Sequence, residues 1–156
     1  MKTATRGNEA EAMILAALVE RGFEVCVPFG GGQPYDLVVD LGGFDLLKVQ
    51  CKMGWLEKSC VSFNTRSTDH GQGRRPYFGL AHIFGVYFPP KKAVYLVPLD
   101  AVGGFRGYLR LEPARNNQRR KVRFASDFEI DRWDLGSLRE VREKALLYPE
   151  PELNFA

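Results

Sequence analysis

The stretch Tyr35-Asp36-Leu37-Val38-Val39-Asp40-Leu41-Gly42-Gly43-Phe44-Asp45-Leu46-Leu47-Lys48-Val49-Gln50-Cys51-Lys52 decides how this chain folds. Tyr35 to Leu41 and Phe44 to Lys52 are strongly apolar runs of strand length. Gly42-Gly43 between them is a hairpin signal, because glycine supplies the positive φ that tight turns demand. Asp36 stands at the head of the first strand. An acid in so apolar a strand is either a strand-edge acid facing water at the mouth of a loop, or a metal ligand held on rigid backbone. In the second strand the two-residue period puts Gln50 and Lys52 on one face and Val49 and Cys51 on the other. A lysine beside a bound metal stabilises a phosphate oxyanion or positions an attacking water.

Register decides whether these residues meet. A turn of only Gly42-Gly43 would pair Asp36 near Val49 and point it away from Gln50. A three-residue loop, or a bulge at the glycines, brings Asp36 opposite Gln50 on one face. A site built from both requires the odd-length turn.

Upstream, Ala10 to Gly22 reads as a helix, with Gly22 at its C-cap, and Glu24 to Val27 as a short strand stopped by Pro28. At 100° per residue, Ile14, Leu15 and Leu18 lie about 60° to one side of Glu11, about 40° to the other and about 20° from it. Glu11 is therefore near the middle of the face the helix buries, where a carboxylate needs a partner or a metal. A simpler reading makes Asn8 the N-cap and Glu11 the N3 residue of a capping box. The loop Phe29 to Pro34 is rich in glycine and proline.

Downstream, Met53 to Pro76 is polar and irregular apart from a short strand candidate at Cys60 to Phe63. Strands are predicted at Ile83 to Phe88, Ala93 to Pro98 and Gly107 to Leu111, and a closing helix at Leu135 to Leu147. Residues 1–147 are expected to form a single domain, with Tyr148 to Ala156 a frayed tail. One helix, a run of strands and a late helix predict an α/β or α+β fold around one central, mixed but mostly antiparallel sheet flanked by helices.

The 156 residues carry a net charge of +3 with 26% charged residues, which permits a nucleic-acid partner without requiring one. Cys26, Cys51 and Cys60 form no CxxC pair and are odd in number, so neither a zinc site nor a disulfide framework is expected, and a reducing cytoplasm is the natural compartment. No apolar run approaches the roughly 20 residues that cross a bilayer, and no membrane partner is expected.

The helix with its Gly7-x-x-x-Glu11 start, Tyr35 to Asp40, and Val49-Gln50-Cys51-Lys52 together resemble the PD-(D/E)XK nuclease superfamily. The chain is most similar to the small branch that includes the group I intron homing endonucleases of cyanobacteria, where acid-x-Lys becomes Gln-x-Lys. Val94 to Pro98, Leu109-Arg110-Leu111 and Asn116-Asn117-Gln118 extend the similarity over roughly Gly7 to Phe128. The resemblance implies a restriction-endonuclease-like core and a catalytic set of Glu11, Asp36, Gln50 and Lys52. It also implies that Glu11, Asp36 and the Cys51 backbone carbonyl hold Mg²⁺ (or Mn²⁺) for phosphodiester hydrolysis. The sequence departs from the usual pattern in three places: Tyr35 separates Pro34 from Asp36, Gln50 is neutral, and His82 stands where relatives would carry an acid. His82 is given no role. A degenerate DNA-binding module with the same fold is the alternative to an active homing-type or junction-resolving enzyme.

Arg115, Asn116, Asn117, Gln118, Arg119, Arg120, Lys121 and Arg123 combine phosphate-binding cations with amides that read adenine edges, a mixture suited to duplex or branched DNA. Arg66, Arg74, Arg75 and Tyr77 around Gly71 and Gly73 form a second candidate DNA surface. A subunit this small owns one site, so cutting both strands predicts a homodimer or homotetramer.

Overall fold

Ala10, Ile14 and Leu18 recur at helical spacing and are fully buried, defining the face on which helix α1 (Thr3–Glu20) docks. The computed structural model describes residues 2–66, 76–113, 116 and 122–149. Helix α1 begins seven residues before the predicted start, with Lys2 at its N-cap and no side-chain cap bond. Its first turns, up to Glu9, are wholly exposed and therefore carry no apolar period to betray them. Asn8 is thus mid-helix, and the capping-box reading of Glu11 is incorrect. At the other end Gly22 has φ of 83°, and the Gly22 and Phe23 N–H groups donate to the Val19 and Leu18 carbonyls at 3.0 and 3.1 Å. This is the Schellman arrangement that glycine at C′ permits.

The first sheet runs β1 (Glu24–Cys26), β2 (Leu37–Asp40), β3 (Leu46–Met53), β6 (Ile83–Phe88), β7 (Ala93–Pro98) in spatial order. All its pairs are antiparallel except β3 with β6. Between β3 and β6 lie β4 (Trp55–Glu57) and β5 (Cys60–Asn64), which join β8 (Arg106–Arg110) in a second, antiparallel sheet of order β4-β5-β8. Helix α2 (Leu135–Ala145) closes the described fold, capped by Asp134, whose carboxylate accepts the Ser137 N–H at 2.7 Å.

Two apolar clusters hold these layers together. Ala10, Ile14 and Leu18 pack on Leu37, Val39, Leu47, Val49 and Ile83, and Leu138 of α2 joins the same cluster. At Gly85 the helix comes so near that a Cβ would lie 2.9 Å from Ile14 Cγ2. On the opposite face, Phe84, Val86 and Phe88 pack with Val61, Phe63 and Leu109 of the second sheet. The central sheet is thus flanked by helices as predicted, both on one face, while the other face is covered by strands. Among the described residues, no helix is long and apolar enough to cross a membrane.

The β2–β3 hairpin turns on three residues. Leu41 N–H donates to the Asp45 carbonyl at 2.8 Å, leaving Gly42, Gly43 and Phe44 as the loop. All three have positive φ, at 83°, 60° and 69°. The ladder runs Asp40↔Leu46, Val39↔Leu47, Val38↔Lys48, Leu37↔Val49, so the next position places Asp36 across from Gln50. The loop has the odd length that such a placement demands.

Candidate functional site

The carboxylate of Asp36 sits where β2 begins and its ladder with β3 runs out. Asp36 N–H donates to the Val49 carbonyl at 2.9 Å, and its Oδ2 accepts the Cys51 N–H at 2.8 Å. The acid thereby satisfies a backbone donor that β2 no longer reaches, and stays fixed to the strand that carries Gln50 and Lys52. Burial raises its pKa, against the opposing pull of the Cys51 N–H bond and the Lys52 cation.

Glu11 is half-buried one position from Ala10 on the docked face of α1, within electrostatic reach of Asp36. Its pKa is raised by burial and then by the Asp36 charge. Two acids lose solvation near one another, and among the described residues no ion pair involves Glu11.

Lys52 approaches from the other face of β3. Its Nζ donates to Tyr77 Oη at 3.0 Å and to the Arg66 carbonyl at 3.4 Å, and lies 4.6 Å from the Tyr77 ring centroid. Burial lowers its pKa from 10.5 to about 8, with Asp36 and Cys51 pulling the other way. The same surroundings push Tyr77 up to about 12, so its hydroxyl stays protonated. The Gln50 amide reaches the Cys51 carbonyl at 3.4 Å. The Cys51 thiol is pushed well up by burial and then by Asp36 and Glu11.

Tyr77 is the residue whose place the sequence concealed. The sequence places it on a candidate DNA surface with Arg66, Arg74 and Arg75, yet it is 5% exposed and its ring meets Phe84 edge-on at 5.8 Å. The adjacent Phe78 was the available signal, since a Tyr-Phe pair is unusual in a solvated loop. His82 is structural: its Nδ1 accepts the Lys48 N–H at 2.8 Å, and its own N–H donates to the Lys48 carbonyl at 2.9 Å. Burial, Lys48 and Arg142 lower its pKa to about 4, so it is neutral.

Among the described residues no group of three or more His, Cys, Asp or Glu side chains gathers. The donors on offer are the Glu11 and Asp36 carboxylates, the Cys51 carbonyl and the Gln50 carboxamide, all oxygen-bearing. Such a set suits a hard divalent cation that retains several waters. Of the predicted DNA-contacting residues, Arg66 lies with its guanidinium carbon 3.8 Å from the Phe105 ring centroid. Arg123 donates from Nε to the Ala101 carbonyl at 3.3 Å, and Asn116 is exposed. Arg74, Arg75, Arg115, Asn117, Gln118, Arg119, Arg120 and Lys121 lie outside the described residues, as does most of the predicted tail.

A family model described as PD-(D/E)XK endonuclease matches residues 1–131. Among solved structures, that of a bacterial homing endonuclease, I-Ssp6803I, superposes with a TM-score of 0.67 at 23% identity, covering 94% of this chain and 97% of that one. At that identity the likeness establishes the restriction-endonuclease-like fold. No curated protein matches the sequence significantly.

Proposed function

Because the chain belongs to the PD-(D/E)XK endonuclease family, we propose that it is a metal-dependent DNA endonuclease whose site comprises Glu11, Asp36, Gln50 and Lys52. The observation that carries this reading is the anchoring of Asp36 to Cys51 N–H, which groups it on β3 with Lys52 and within the field of Glu11. Two partly desolvated acids with raised pKa values favour a cation between them. Glu11, Asp36 and the Cys51 carbonyl would hold Mg²⁺ or Mn²⁺, with Gln50 as a neutral neighbour. When bound, the ion polarises the scissile phosphate and acidifies a coordinated water.

The protein's own contribution centres on Lys52. With a pKa of about 8 it is about nine-tenths protonated at pH 7. Tyr77 and the Arg66 carbonyl hold the ammonium on a rigid strand, where it donates to a phosphate oxygen as negative charge accumulates there. Asp36 keeps its orientation through Cys51 N–H, so little reorganisation accompanies the reaction. The Gln-x-Lys variant favours a homing-type enzyme over a junction resolvase, acting as a homodimer or homotetramer.

Wild type and Lys52→Ala should be compared on supercoiled plasmid and on a synthetic four-way junction, with Mg²⁺, Mn²⁺ or EDTA. Cleavage that needs the ion and vanishes in the variant is expected, and the preferred substrate separates the two subtypes. DNA binding without cleavage under any ion or on any selected target sequence would instead favour the degenerate module, to which neutral Gln50 lends support. Elution at about 18 kDa at micromolar protein would refute the oligomer.

A further inference from the structure

The second sheet turns one face to the core through Val61, Phe63 and Leu109, so its alternate residues face outward. Cross-strand pairing arranges that outward face in rows: Asn64 beside Arg106, Trp55 beside Ser62 beside Tyr108, and Glu57 beside Cys60 beside Arg110. A solvent face would ordinarily be filled with short polar side chains. Here two large aromatics stand among arginines.

The arginines are arranged rather than scattered. Arg106 holds its guanidinium carbon 5.3 Å from the Trp55 ring centroid and reaches Glu57 at 3.6 Å. Glu57, the one acid within the three strands, also accepts the Trp55 indole N–H at 3.2 Å. Against it stand Arg106, Arg110 and, at the end of β5, Arg66 stacked on the exposed Phe105. Between Trp55 and Tyr108, the Ser62 hydroxyl is fully buried without a hydrogen-bond partner among the described residues. Arg66, two residues beyond β5, ties this sheet to the proposed catalytic centre, because its carbonyl accepts from Lys52 Nζ.

We propose that this outward face, centred on Trp55, Arg106 and Tyr108, binds duplex DNA by lying in its major groove. The inference rests on the nucleic-acid part of the function proposed above. The major groove, about 12 Å wide, admits a two-stranded β-ribbon, which β5 and β8, about 4.8 Å apart, supply, with Trp55 of β4 at its rim. Arg106 and Arg110 meet phosphates or guanine edges, Asn64 presents an amide, and Tyr108 and Trp55 supply rigid apolar area. None of Trp55, Asn64, Arg106, Tyr108 or Arg110 belongs to the basic segments that the sequence alone singled out.

The test uses Trp133→Phe protein, in which Trp55 is the sole tryptophan, with a fluorescently labelled mixed-sequence 30-bp duplex in EDTA so that cleavage does not intervene. Saturable change in Trp55 emission on titrating unlabelled duplex is expected. Arg106→Ala with Arg110→Ala should weaken binding at least tenfold and lower the slope of log affinity against log salt by about 1–2. Arg132→Ala with Lys144→Ala, both exposed on the α2 side of the central sheet, should leave both unchanged. Trp55 emission that stays constant while anisotropy reports saturated duplex overturns the proposal. So does the absence of duplex binding, a response to structured RNA alone, or affinity and salt slope unaltered in the double arginine variant. The emission readout alters no residue of the face, and a circular dichroism spectrum and melt matching wild type show that Trp133→Phe, which removes an indole bond to the Phe128 carbonyl, keeps the fold. Cleavage in Mg²⁺ is scored separately: loss of the nuclease reading with Trp55 responding leaves this face intact, and cleavage with Trp55 silent removes the face alone.

Discussion

Lys52→Met should make the protein more stable at neutral pH while abolishing its cleavage. A lysine whose pKa falls from 10.5 to about 8 on folding is charged at a cost of roughly 3 kcal/mol. Methionine matches its length without the charge, but strands the Arg66 carbonyl and Tyr77 hydroxyl that Lys52 had satisfied, at about 1–2 kcal/mol. The expected net gain at pH 7 is about 1–2 kcal/mol, which for a chain this long raises Tm by about 2–8 °C. Below pH 8 both the folded and unfolded wild type keep the lysine charged, so the full cost is present. Between about pH 8 and 10.5 the folded lysine releases its proton while the unfolded one retains it, and wild-type stability rises with pH. Above 10.5 both are neutral. Melting both proteins by circular dichroism from pH 7 to 10.5, without divalent ions, should therefore show the gap closing across that window and then reversing in favour of wild type. A variant that melts below wild type at pH 7, or a gap that ignores pH, would refute the claim that burial dominates at Lys52.

Glu11→Gln and Asp36→Asn should each melt no lower than wild type in EDTA at pH 7. Their folded pKa values are raised, so the ionised acids cost stability as pH climbs through them. Both variants should lose the metal-induced rise in Tm, about 3–6 °C for wild type at ten times the dissociation constant, measured by thermal melts with Mg²⁺. Gly85→Ala should destabilise by about 1–3 kcal/mol in urea titration, because its Cβ would press on Ile14 Cγ2 at 2.9 Å and Val49 Cγ1 at 3.2 Å. Phe44→Gly should stabilise by about 1 kcal/mol in the same assay, since Phe44 is fully exposed and held at φ of 69°.

The parts of the fold written in local apolar patterning were legible. Strands β6 and β7 lie where uninterrupted apolar runs of strand length put them, and the pairing of β2 with β3 follows from two apolar runs and a glycine turn. Even the turn length could be framed as a requirement, because register has only two answers for Asp36. The start of α1 was illegible, since an exposed first turn containing Thr3, Thr5 and Gly7 offers neither period nor strong propensity. Strand β4 spans three residues, too few for any period to show. What surrounds Lys52 is set by contacts 14 and 25 residues away, with Arg66 and Tyr77. No local signal encodes such a meeting, nor the cross-strand rows of the second sheet.

The parallel pairing of β3 with β6 forces the chain to leave at Met53, travel, and re-enter at Ile83 pointing the same way. In most such connections a helix makes the journey; here the described residues contribute two strands of a second sheet. The residues proposed for chemistry lie on α1 and the β2–β3 hairpin, before the excursion begins, and β6 restores the sheet after it ends. Lineages descended from this fold could thus lengthen, shorten or repaint the excursion and shift target preference, so long as Arg66 and Tyr77 within it keep their hold on Lys52.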